Sequence, residues 1–408
     1  MATQSKKYIE VKPLAWLLTA LYFSNYITRI NFAAVIQEIV TDTGFEKSTL
    51  SVVLVCLSIT YGVGQIVNGW LGDKVNPTNL IFFGLILATT INLIFPLFSF
   101  SIPMMSALWA VNGFAQAMMW PPMVKILVAN TDDAQYSYAV VRICWGSSIA
   151  TIVTYLCAPL IISIFGWKGV FIASATVGLT ATLVWGALKS RVRLEEPARL
   201  PLEKEKSRSL SFPKAAIFPI VFAFLAIIFQ GMLRDGVSAW MPTYLSEVFN
   251  IDNKRSILLT VSLAVFNTLA FSLFSAIYNK FFKNEIFCAA SIFLASTLAA
   301  AFLYLFFEGG ALIAILMMAI ISGCMHGVNL MLITIIPKRF KKYGNISTIS
   351  GLLNACTYVG SAIFTYGIAL LSELIGWQKT VGIWAIIALL GALCCLVATL
   401  PWKKFMEK

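Results

Sequence analysis

Apolar runs long enough to cross a lipid bilayer recur along the whole of this 408-residue chain. A helix needs roughly 20 apolar residues to span the ~30 Å hydrocarbon core of a membrane. Backbone groups cannot be left unpaired in lipid, so runs of this length must be helices rather than open strands. We count twelve runs, near residues 13–40, 48–71, 78–99, 102–128, 136–162, 169–188, 215–241, 256–278, 286–306, 311–336, 346–371 and 380–400. The pattern predicts an all-α membrane protein with twelve transmembrane helices.

Positive charge is concentrated on one side of this twelve-span pattern. The chain is 59% hydrophobic and 12% charged, with a formal net charge of +12. Lys and Arg cluster before the first run, between runs six and seven, between runs ten and eleven, and after the last run. Loops rich in these residues stay in the cytoplasm, so both termini are predicted to be cytoplasmic. Topology therefore accounts for the charge, and a nucleic-acid partner has little support.

The N-terminal segment and the cysteines argue against two further classes of protein. Residues 1–7 are polar and lead into a full-length span without a small-residue cleavage site, so we expect no cleavable signal peptide. All eight cysteines lie in apolar runs without metal-ligand spacing. This placement favours buried small side chains over redox or metal-binding roles. We expect no catalytic residues, metal or cofactor, and a monomeric multi-pass protein in the lipid bilayer of a bacterial plasma (inner) membrane.

Arg29 lies inside the first apolar run. It belongs to a polar stretch that starts at Tyr22, passes through Tyr26 and ends at Asn31 and Phe32. An arginine near mid-bilayer costs roughly 2.5 kcal/mol or more even on lenient insertion scales. Such residues usually face a cavity, a partner or a substrate. Arg29 is therefore the first candidate for a functional residue.

The loop after the second run carries a recognisable signature. Residues 69–74 read Gly-x-Leu-x-Asp-Lys and end in Asp73 and Lys74. In a twelve-helix protein this pattern resembles the loop signature of the major facilitator superfamily. The resemblance implies that the carboxylate pairs with basic groups on neighbouring helices and latches a cytoplasmic gate. The alternative is a solvated loop, since surface charges often have no further role.

The fourth run contains two adjacent prolines. Residues 116–122 read Gln-x-Met-x-Trp-Pro-Pro, and Pro121 and Pro122 lack backbone donors, which predicts that the helix is broken or kinked in mid-span. Together with Tyr-x-x-Arg-x-Asn-Phe in run one and Asp-Lys-x-Asn-Pro after run two, this motif resembles the organophosphate:phosphate antiporters. That family includes glycerol-3-phosphate and hexose-phosphate carriers. We treat the Trp-Pro-Pro segment as a candidate gating element.

Two features repeat at nearly the same distance along the chain. Arg234, in the seventh run, lies 205 residues after Arg29. The Gly-Trp pair at residues 166–167 recurs at residues 376–377, an offset of 210. The agreement indicates a duplicated six-helix unit, as in transporters built from parallel repeats. We predict two pseudo-symmetric six-helix bundles, with halves at 1–188 and 215–408 and a cytoplasmic linker at 189–214.

The duplication makes Arg29 and Arg234 equivalents that face one another, and the family resemblance implies that they match its two phosphate-clamping arginines. Guanidinium binds phosphate bidentately, which a lysine cannot do. We expect a site with no compensating acids, although Arg234 could instead be a packing partner of Asp235. The resemblance implies transport of a small organic anion, an organophosphate, by alternating access in exchange for inorganic phosphate.

Five further polar or aromatic side chains in the apolar runs are candidate substrate contacts. Gln65 and Trp145 stand where the glycerol-3-phosphate carriers resembled here have lysine and histidine, which leaves the organic part of the substrate open. Arg142 is a further intramembrane arginine, which could also extend its head group to the interface. His326 is the only histidine and Asn329 follows it on the same run. A histidine in such a place either contacts substrate or is neutral and hydrogen-bonded to a neighbour.

Coupling to protons is the main alternative to exchange. Tyr-x-x-Arg-x-Asn also resembles the anion:cation symporters of sugar acids and other carboxylates, which tend to carry an acid before the helix 1 arginine. Here that position is Thr28, and Asp235 is the candidate coupling residue. A third hypothesis is a transporter-like membrane sensor of a phosphorylated sugar, because the organophosphate family includes one. The sequence offers no output domain for it.

Overall fold

The computed structural model describes residues 8–45, 47–194, 213–251, 253–343 and 345–407, and within these ranges the chain forms helices and short connections without a strand. The α-helices are α1 (Val11–Thr43), α2 (Lys47–Lys74), α3 (Pro77–Ile94), α4 (Ile102–Gln116), α5 (Trp120–Asn130), α6 (Asp133–Leu188), α7 (Lys214–Phe249), α8 (Asn253–Phe281), α9 (Glu285–Leu305), α10 (Ala311–Asn329), α11 (Ile346–Ile375) and α12 (Trp377–Met406).

These helices correspond to the twelve predicted spans. Nine helical stretches in the described ranges are long and apolar enough to cross a membrane. One of them, α6, holds two spans, because Gly166 adopts φ 67° and ψ 178° in its interior and divides it. The helix α1 and the pair α4 and α5 supply the remaining two. The predicted all-α, twelve-helix fold is confirmed.

The predicted break in the fourth span is present. Helix α4 ends at Gln116, a turn covers residues 117–119, and α5 begins at Trp120. Pro121 and Pro122 lack the N–H groups that would bond to the carbonyls four residues earlier, so a regular helix cannot continue through this point. Ala117 and Met119, the first and last residues of the turn, both keep right-handed helical backbone angles.

Packing groups the described chain into two compact units. The first comprises Met1–Ser209 with Phe340–Leu352, and the second Leu210–Arg339 with Leu353–Lys408. The first unit therefore includes the start of α11, which lies beyond the predicted boundary between the halves. Most of the predicted linker at 189–214 lies outside the described residues. The proposed division at that linker stays a prediction.

The core of the first unit contains a cluster of aromatic rings. Phe95 stacks on Phe171 with centroids 4.7 Å apart, and Trp109 lies 4.8 Å from Phe95. Phe32, three residues after Arg29, packs against both Phe95 and Trp109. Burying each such ring removes a large apolar area from contact with the surroundings. This cluster anchors the part of α1 that follows the arginine.

Candidate functional site

Arg29 lies in α1 against aromatic rings of the first unit. Its guanidinium carbon is 4.1 Å from the ring centroid of Tyr61 on α2 and 5.5 Å from that of Tyr26. Tyr61 is almost fully buried, at 2% exposure. A ring face attracts a cation and is flat, so it fixes the plane of the guanidinium fork. The arginine is thus held by stacking that leaves its charge in place.

A buried network of amides fixes the turn of α1 that carries this arginine. The carbonyl of Thr28 accepts hydrogen bonds from Asn92 on α3 (2.9 Å) and Asn112 on α4 (3.0 Å). Gln116 donates to the hydroxyl of Thr28 at 3.0 Å, and Asn31 donates to Asn92 at 2.6 Å. Buried polar groups satisfied in this way are rigid. Sequence analysis did not single these amides out as a network, although amides within apolar runs are the signal that could have found it.

The start of α5 contacts the same region of α1. The ring of Trp120 lies 5.4 Å from Tyr22, which in turn lies 5.1 Å from Tyr26. Trp120, Pro121 and Pro122 are all buried. The break between α4 and α5 therefore lets the fourth span contact α1 at two places, through Gln116 before the break and Trp120 after it.

Gln65 is a fully buried amide on α2, one helical turn after Tyr61. It has 0% exposure, and neither its Nε2 nor its Oε1 atom has a hydrogen-bond partner among the described residues. Leaving a buried polar group unsatisfied costs roughly 1–3 kcal/mol. An amide kept in such a place offers a donor and an acceptor to another molecule.

Arg142 is held by two rings of its own helix. Its guanidinium carbon is 3.4 Å from the ring centroid of Tyr138 and 5.3 Å from that of Trp145. One terminal nitrogen donates to the Tyr138 carbonyl at 3.3 Å. Residues four before and three after lie on the same face of a helix, which explains why both rings reach it. Trp145 and Arg142 therefore form one stacked unit on α6.

In the second unit, Arg234 forms an ion pair with Asp235. Its Nε and one terminal nitrogen donate to the two carboxylate oxygens at 2.7 Å and 2.9 Å. The Arg234 side chain also lies 5.9 Å from the Tyr358 ring, and Ser361 hydrogen-bonds to the carboxylate. Of the two alternatives for Arg234, the pairing with Asp235 is the one observed, so the expectation of a site without compensating acids does not hold for this arginine. Neighbouring side chains leave a helix about 100° apart, but the long arginine side chain turns back to its neighbour.

His326 is hydrogen-bonded within α10. Its Nδ1 lies 2.9 Å from the carbonyl of Ser322, and Phe271 packs edge-on at 5.3 Å. A carbonyl only accepts, so Nδ1 carries a hydrogen and Nε2 is the remaining ring nitrogen. The Ser322 hydroxyl donates to Asn267 at 3.0 Å. Asn329 is half-buried at the last residue of α10.

Asp73, in the loop that carries the signature, has contacts on two other helices. Its carboxylate accepts the backbone N–H groups of Ser347 (3.1 Å) and Thr348 (2.7 Å) in the first turn of α11. Lys125 on α5 lies 3.6 Å from the same carboxylate and donates to the Gly72 carbonyl at 2.8 Å. A carboxylate satisfies free donors at a helix start and complements its dipole. All these groups belong to the first unit.

The other residue of the loop signature, Lys74, has a different contact. Its ammonium lies 3.9 Å above the ring of Trp70. The base that pairs with Asp73 is thus Lys125, which sequence analysis did not name. Lys125 lies on the same short helix as Trp120, so α5 carries both the ion pair with Asp73 and an aromatic contact to α1.

The second unit has an ion pair with a fully buried acid near the end of α8 and the start of α9. Arg339 donates to Glu285 at the start of α9 through Nε (2.9 Å) and a terminal nitrogen (3.3 Å). The hydroxyl of Tyr278 on α8 accepts from Arg339 at 3.3 Å. This triad could not be predicted from the sequence, because Glu285 and Arg339 flank different runs. Across the described ranges no group of three His, Cys, Asp or Glu side chains could hold a metal ion.

Comparison with known proteins agrees with the fold and with the motifs. The model of the Major Facilitator Superfamily matches residues 18–365. The glycerol-3-phosphate transporter of Bacillus subtilis (strain 168) is 25% identical over 383 residues, which cover 85% of this chain and 82% of that protein. A probable hexose phosphate transport protein of Chlamydia muridarum is 26% identical, over 58% of this chain and 57% of the relative.

A solved structure supports the architecture. The fucose:proton symporter of E. coli superposes with a TM-score of 0.75 over 98% of this chain and all of that one, at 13% identity. That likeness concerns the fold alone. The two relatives confirm the resemblance to organophosphate carriers that the motifs predicted, and the protein is an integral multi-pass membrane protein rather than an enzyme. The chain belongs to the major facilitator superfamily.

Proposed function

We propose that this transporter moves an organophosphate by alternating access in exchange for inorganic phosphate, and that Arg29 is its principal anion-binding group. The observation that carries the proposal is the placement of Arg29. It lies on the Tyr61 ring, in a turn fixed by buried amides from α3 and α4. Preorganised donors of this kind bind an anion without first losing conformational freedom.

The distribution of acids supports an anionic substrate. In the first six apolar runs, Glu38 near the end of run one is the only Asp or Glu, whereas Arg29 and Arg142 both lie within these runs. Intramembrane charges are retained when they serve a substrate or ion pathway. A phosphate group accepts several charge-assisted hydrogen bonds and matches the fork of a guanidinium. A phosphate-bearing anion therefore fits the charge of the first half.

The buried amide of Gln65 supports a substrate whose organic part carries hydroxyl groups. Its buried amide offers both a donor and an acceptor one turn from the Tyr61 ring on which Arg29 stacks. A neutral hydroxyl can donate to the amide oxygen and accept from the amide N–H, whereas a second anionic group would be repelled by the amide oxygen. The further proposed substrate contacts are Tyr26, Arg142, Trp145, Arg234, His326 and Asn329.

The pair of Arg234 and Asp235 sets a condition on binding. Arg234 uses two of its five N–H donors on the carboxylate, and a phosphate that binds it is proposed to exchange at least one of these bonds for a bond to substrate. This exchange ties substrate occupancy to a change of side-chain contacts on α7. Such differential contact is what allows a ligand to shift a conformational equilibrium.

The gate is proposed to be held by Asp73. Its carboxylate caps α11 and pairs with Lys125 on the short helix that begins at Trp120, and the Pro121–Pro122 break lets that helix move as a separate segment. Lys74 is proposed to support this loop through Trp70. We further propose that the protein acts as a monomer in a bacterial plasma membrane, with both termini cytoplasmic and inorganic phosphate as the counter-substrate.

Counterflow of inorganic phosphate in proteoliposomes tests the proposal. Purified protein should exchange external labelled phosphate for internal phosphate, and a hexose or polyol phosphate should compete. Arg29→Ala and Arg234→Ala should each lose exchange, whereas the matched control Arg193→Ala should retain it, because Arg193 stacks on Tyr8 outside the spans. Exchange that survives in both site variants would contradict the proposal.

Proton-coupled symport is a second candidate, favoured by the intramembrane carboxylate of Asp235. Uptake of a carboxylate that collapses with an uncoupler and is lost in Asp235→Asn would support it. Under the exchange mechanism, phosphate counterflow is insensitive to the uncoupler. The two outcomes separate the candidates in one set of vesicles.

A further inference from the structure

Helices α1 and α7, which carry Arg29 and Arg234, have the same kind of contact near their C-terminal ends. The indole Nε1 of Trp167 donates to Asp42 of α1 at 2.9 Å. In the second unit, the indole of Trp377 donates to Glu247 of α7 at 2.7 Å. We call these two acid–tryptophan hydrogen bonds the clasps. Each is a charge-assisted bond to a side chain from another span.

The clasps are placed identically with respect to the arginines. Asp42 lies 13 residues after Arg29, and Glu247 lies 13 residues after Arg234. At roughly 1.5 Å per helical residue, each clasp is on the order of 20 Å along the helix from its arginine. The acids repeat at the same offset of 205 residues as the arginines. The duplication has therefore kept a unit made of an arginine, a fixed length of helix and a clasp.

The tryptophan side of each clasp is rigid. The residue before each indole is a glycine with positive φ, Gly166 at 67° and Gly376 at 80°. A side chain at these positions would be strained, so the turns favour glycine. Trp167 packs edge-on against Phe171, and Trp377 against Tyr244 at 5.3 Å. Each indole therefore has a fixed direction in which to offer its N–H group.

We propose that the two clasps are positioning devices that hold the arginine-bearing helices at a fixed height and rotation, and that Asp42, Trp167, Glu247 and Trp377 are positioning residues for anion binding. In the first unit, the amide bonds to Thr28 and the clasp at Asp42 constrain α1 at two separated points. A helix held at one point can tilt and rotate about that point, whereas contacts at two separated points oppose both movements. The role in binding rests on the proposed function, whereas the anchoring of α1 does not.

The test uses variants that remove one hydrogen bond and little else. Trp167→Phe keeps a ring but loses the donor, Asp42→Ala loses the acceptor, and Asp42→Asn keeps an acceptor oxygen. The matched control is Trp185→Phe. Trp185 makes an indole bond of the same length, 2.9 Å, in the same unit, but to the carbonyl of Thr78 on α3 rather than to α1.

Amide hydrogen exchange in α1 and the KM for inorganic phosphate are the two readouts. Trp167→Phe and Asp42→Ala should speed hydrogen exchange between residues 29 and 43. They should raise KM about three- to tenfold with little change in maximal rate, less than the loss of a direct bond to substrate, because the clasp acts on binding only through the position of α1. Asp42→Asn should restore both values. Trp185→Phe should leave both at wild-type values.

The outcomes separate this inference from the proposed function. If wild-type protein exchanges phosphate but the clasp variants match Trp185→Phe in α1 exchange and in KM, the inference is wrong and the function stands. If wild-type protein does not exchange phosphate, the proposed function fails. In that case, faster amide hydrogen exchange in α1 of Trp167→Phe, together with the wild-type rate in Asp42→Asn, would still support the anchoring of α1. An unchanged hydrogen-exchange rate in Trp167→Phe would overturn it.

Discussion

The two intramembrane arginines at matching positions of the repeat are held in different ways. Arg29 in the first unit stacks on Tyr61 at 4.1 Å, whereas Arg234 in the second makes two hydrogen bonds to Asp235. Stacking on a ring fixes the plane of a guanidinium, whereas the ion pair commits two N–H donors of Arg234 to the carboxylate and offsets its charge. Duplication thus kept the residue and changed its chemistry.

Matching positions in the repeat therefore do not imply the same role in anion binding. The first half carries two arginines in its runs with Glu38 as the only acid there, and the second carries Arg234 beside Asp235. We infer that Arg29 supplies the standing attraction for an anion. Arg234 contributes after its bonds to Asp235 have been exchanged for bonds to substrate.

Removing Arg29 should have the largest effect. We expect Arg29→Ala to weaken phosphate binding about 100-fold or more, since each hydrogen bond to a charged group is worth roughly 1.5–3 kcal/mol and a bidentate pair makes two. Arg29→Lys should recover part of the loss, because a lysine keeps the charge but not the fork. Isothermal titration with inorganic phosphate measures both. Near-normal affinity in Arg29→Ala would remove the distinction between the two arginines.

Neutralising Asp235 should sharpen the comparison. Asp235→Asn weakens the ion pair and releases donors of Arg234, so phosphate affinity should rise about three- to tenfold, the amount expected from an ion pair worth about 1 kcal/mol. Arg234→Ala should show no such gain when Asp235→Asn is added to it. A loss of phosphate binding in Asp235→Asn would instead indicate that the carboxylate takes part in coupling.

Removing the contacts of Asp73 should have the next largest effect. Asp73→Ala removes the cap of α11 and the partner of Lys125, at a cost of about 1 kcal/mol for a lost cap. We expect about fivefold faster labelling of a cysteine placed at Ser350 in an otherwise cysteine-free protein, since Ser350 is fully buried near this cap. Asp73→Asn should lie between, because asparagine also caps. Unchanged labelling would show that Asp73 does not hold the gate.

Gln65 should give the smallest effect and the most selective one. Gln65→Leu should raise KM for a hexose or polyol phosphate about threefold, with little change for inorganic phosphate, since one hydrogen bond to a neutral hydroxyl is worth about 1 kcal/mol or less. The variant should also be more stable to heat, because it removes a buried unsatisfied amide. Equal effects on both substrates would place Gln65 outside the organic subsite.

The fold was predictable because its causes are local. Run length and the lack of backbone donors in lipid determine the helices, and Pro121 with Pro122 determines the break before α5. The turn at Gly166 was visible as a repeat of Gly376, although the positive φ that explains both glycines appears only in the structure.

The residues of the candidate site could be predicted from the sequence, but most of their contacts could not. Arg29, Arg234 and Asp73 could be found as charges in unusual places. Their contacts depend on which helices are neighbours, so Lys125 and the amide network around Thr28 could not be assigned from spacing. The pairing of Arg234 with Asp235 was one of two alternatives that the sequence left open, because side-chain rotamers within one turn are set by packing and not by sequence distance.

The most direct test is a single titration series with inorganic phosphate on purified wild-type protein, Arg29→Ala, Arg234→Ala and Asp235→Asn. We predict the order of affinity Asp235→Asn, wild type, Arg234→Ala and then Arg29→Ala, from tightest to weakest. Wild-type affinity in Arg29→Ala, or abolished binding in Asp235→Asn, would contradict the account.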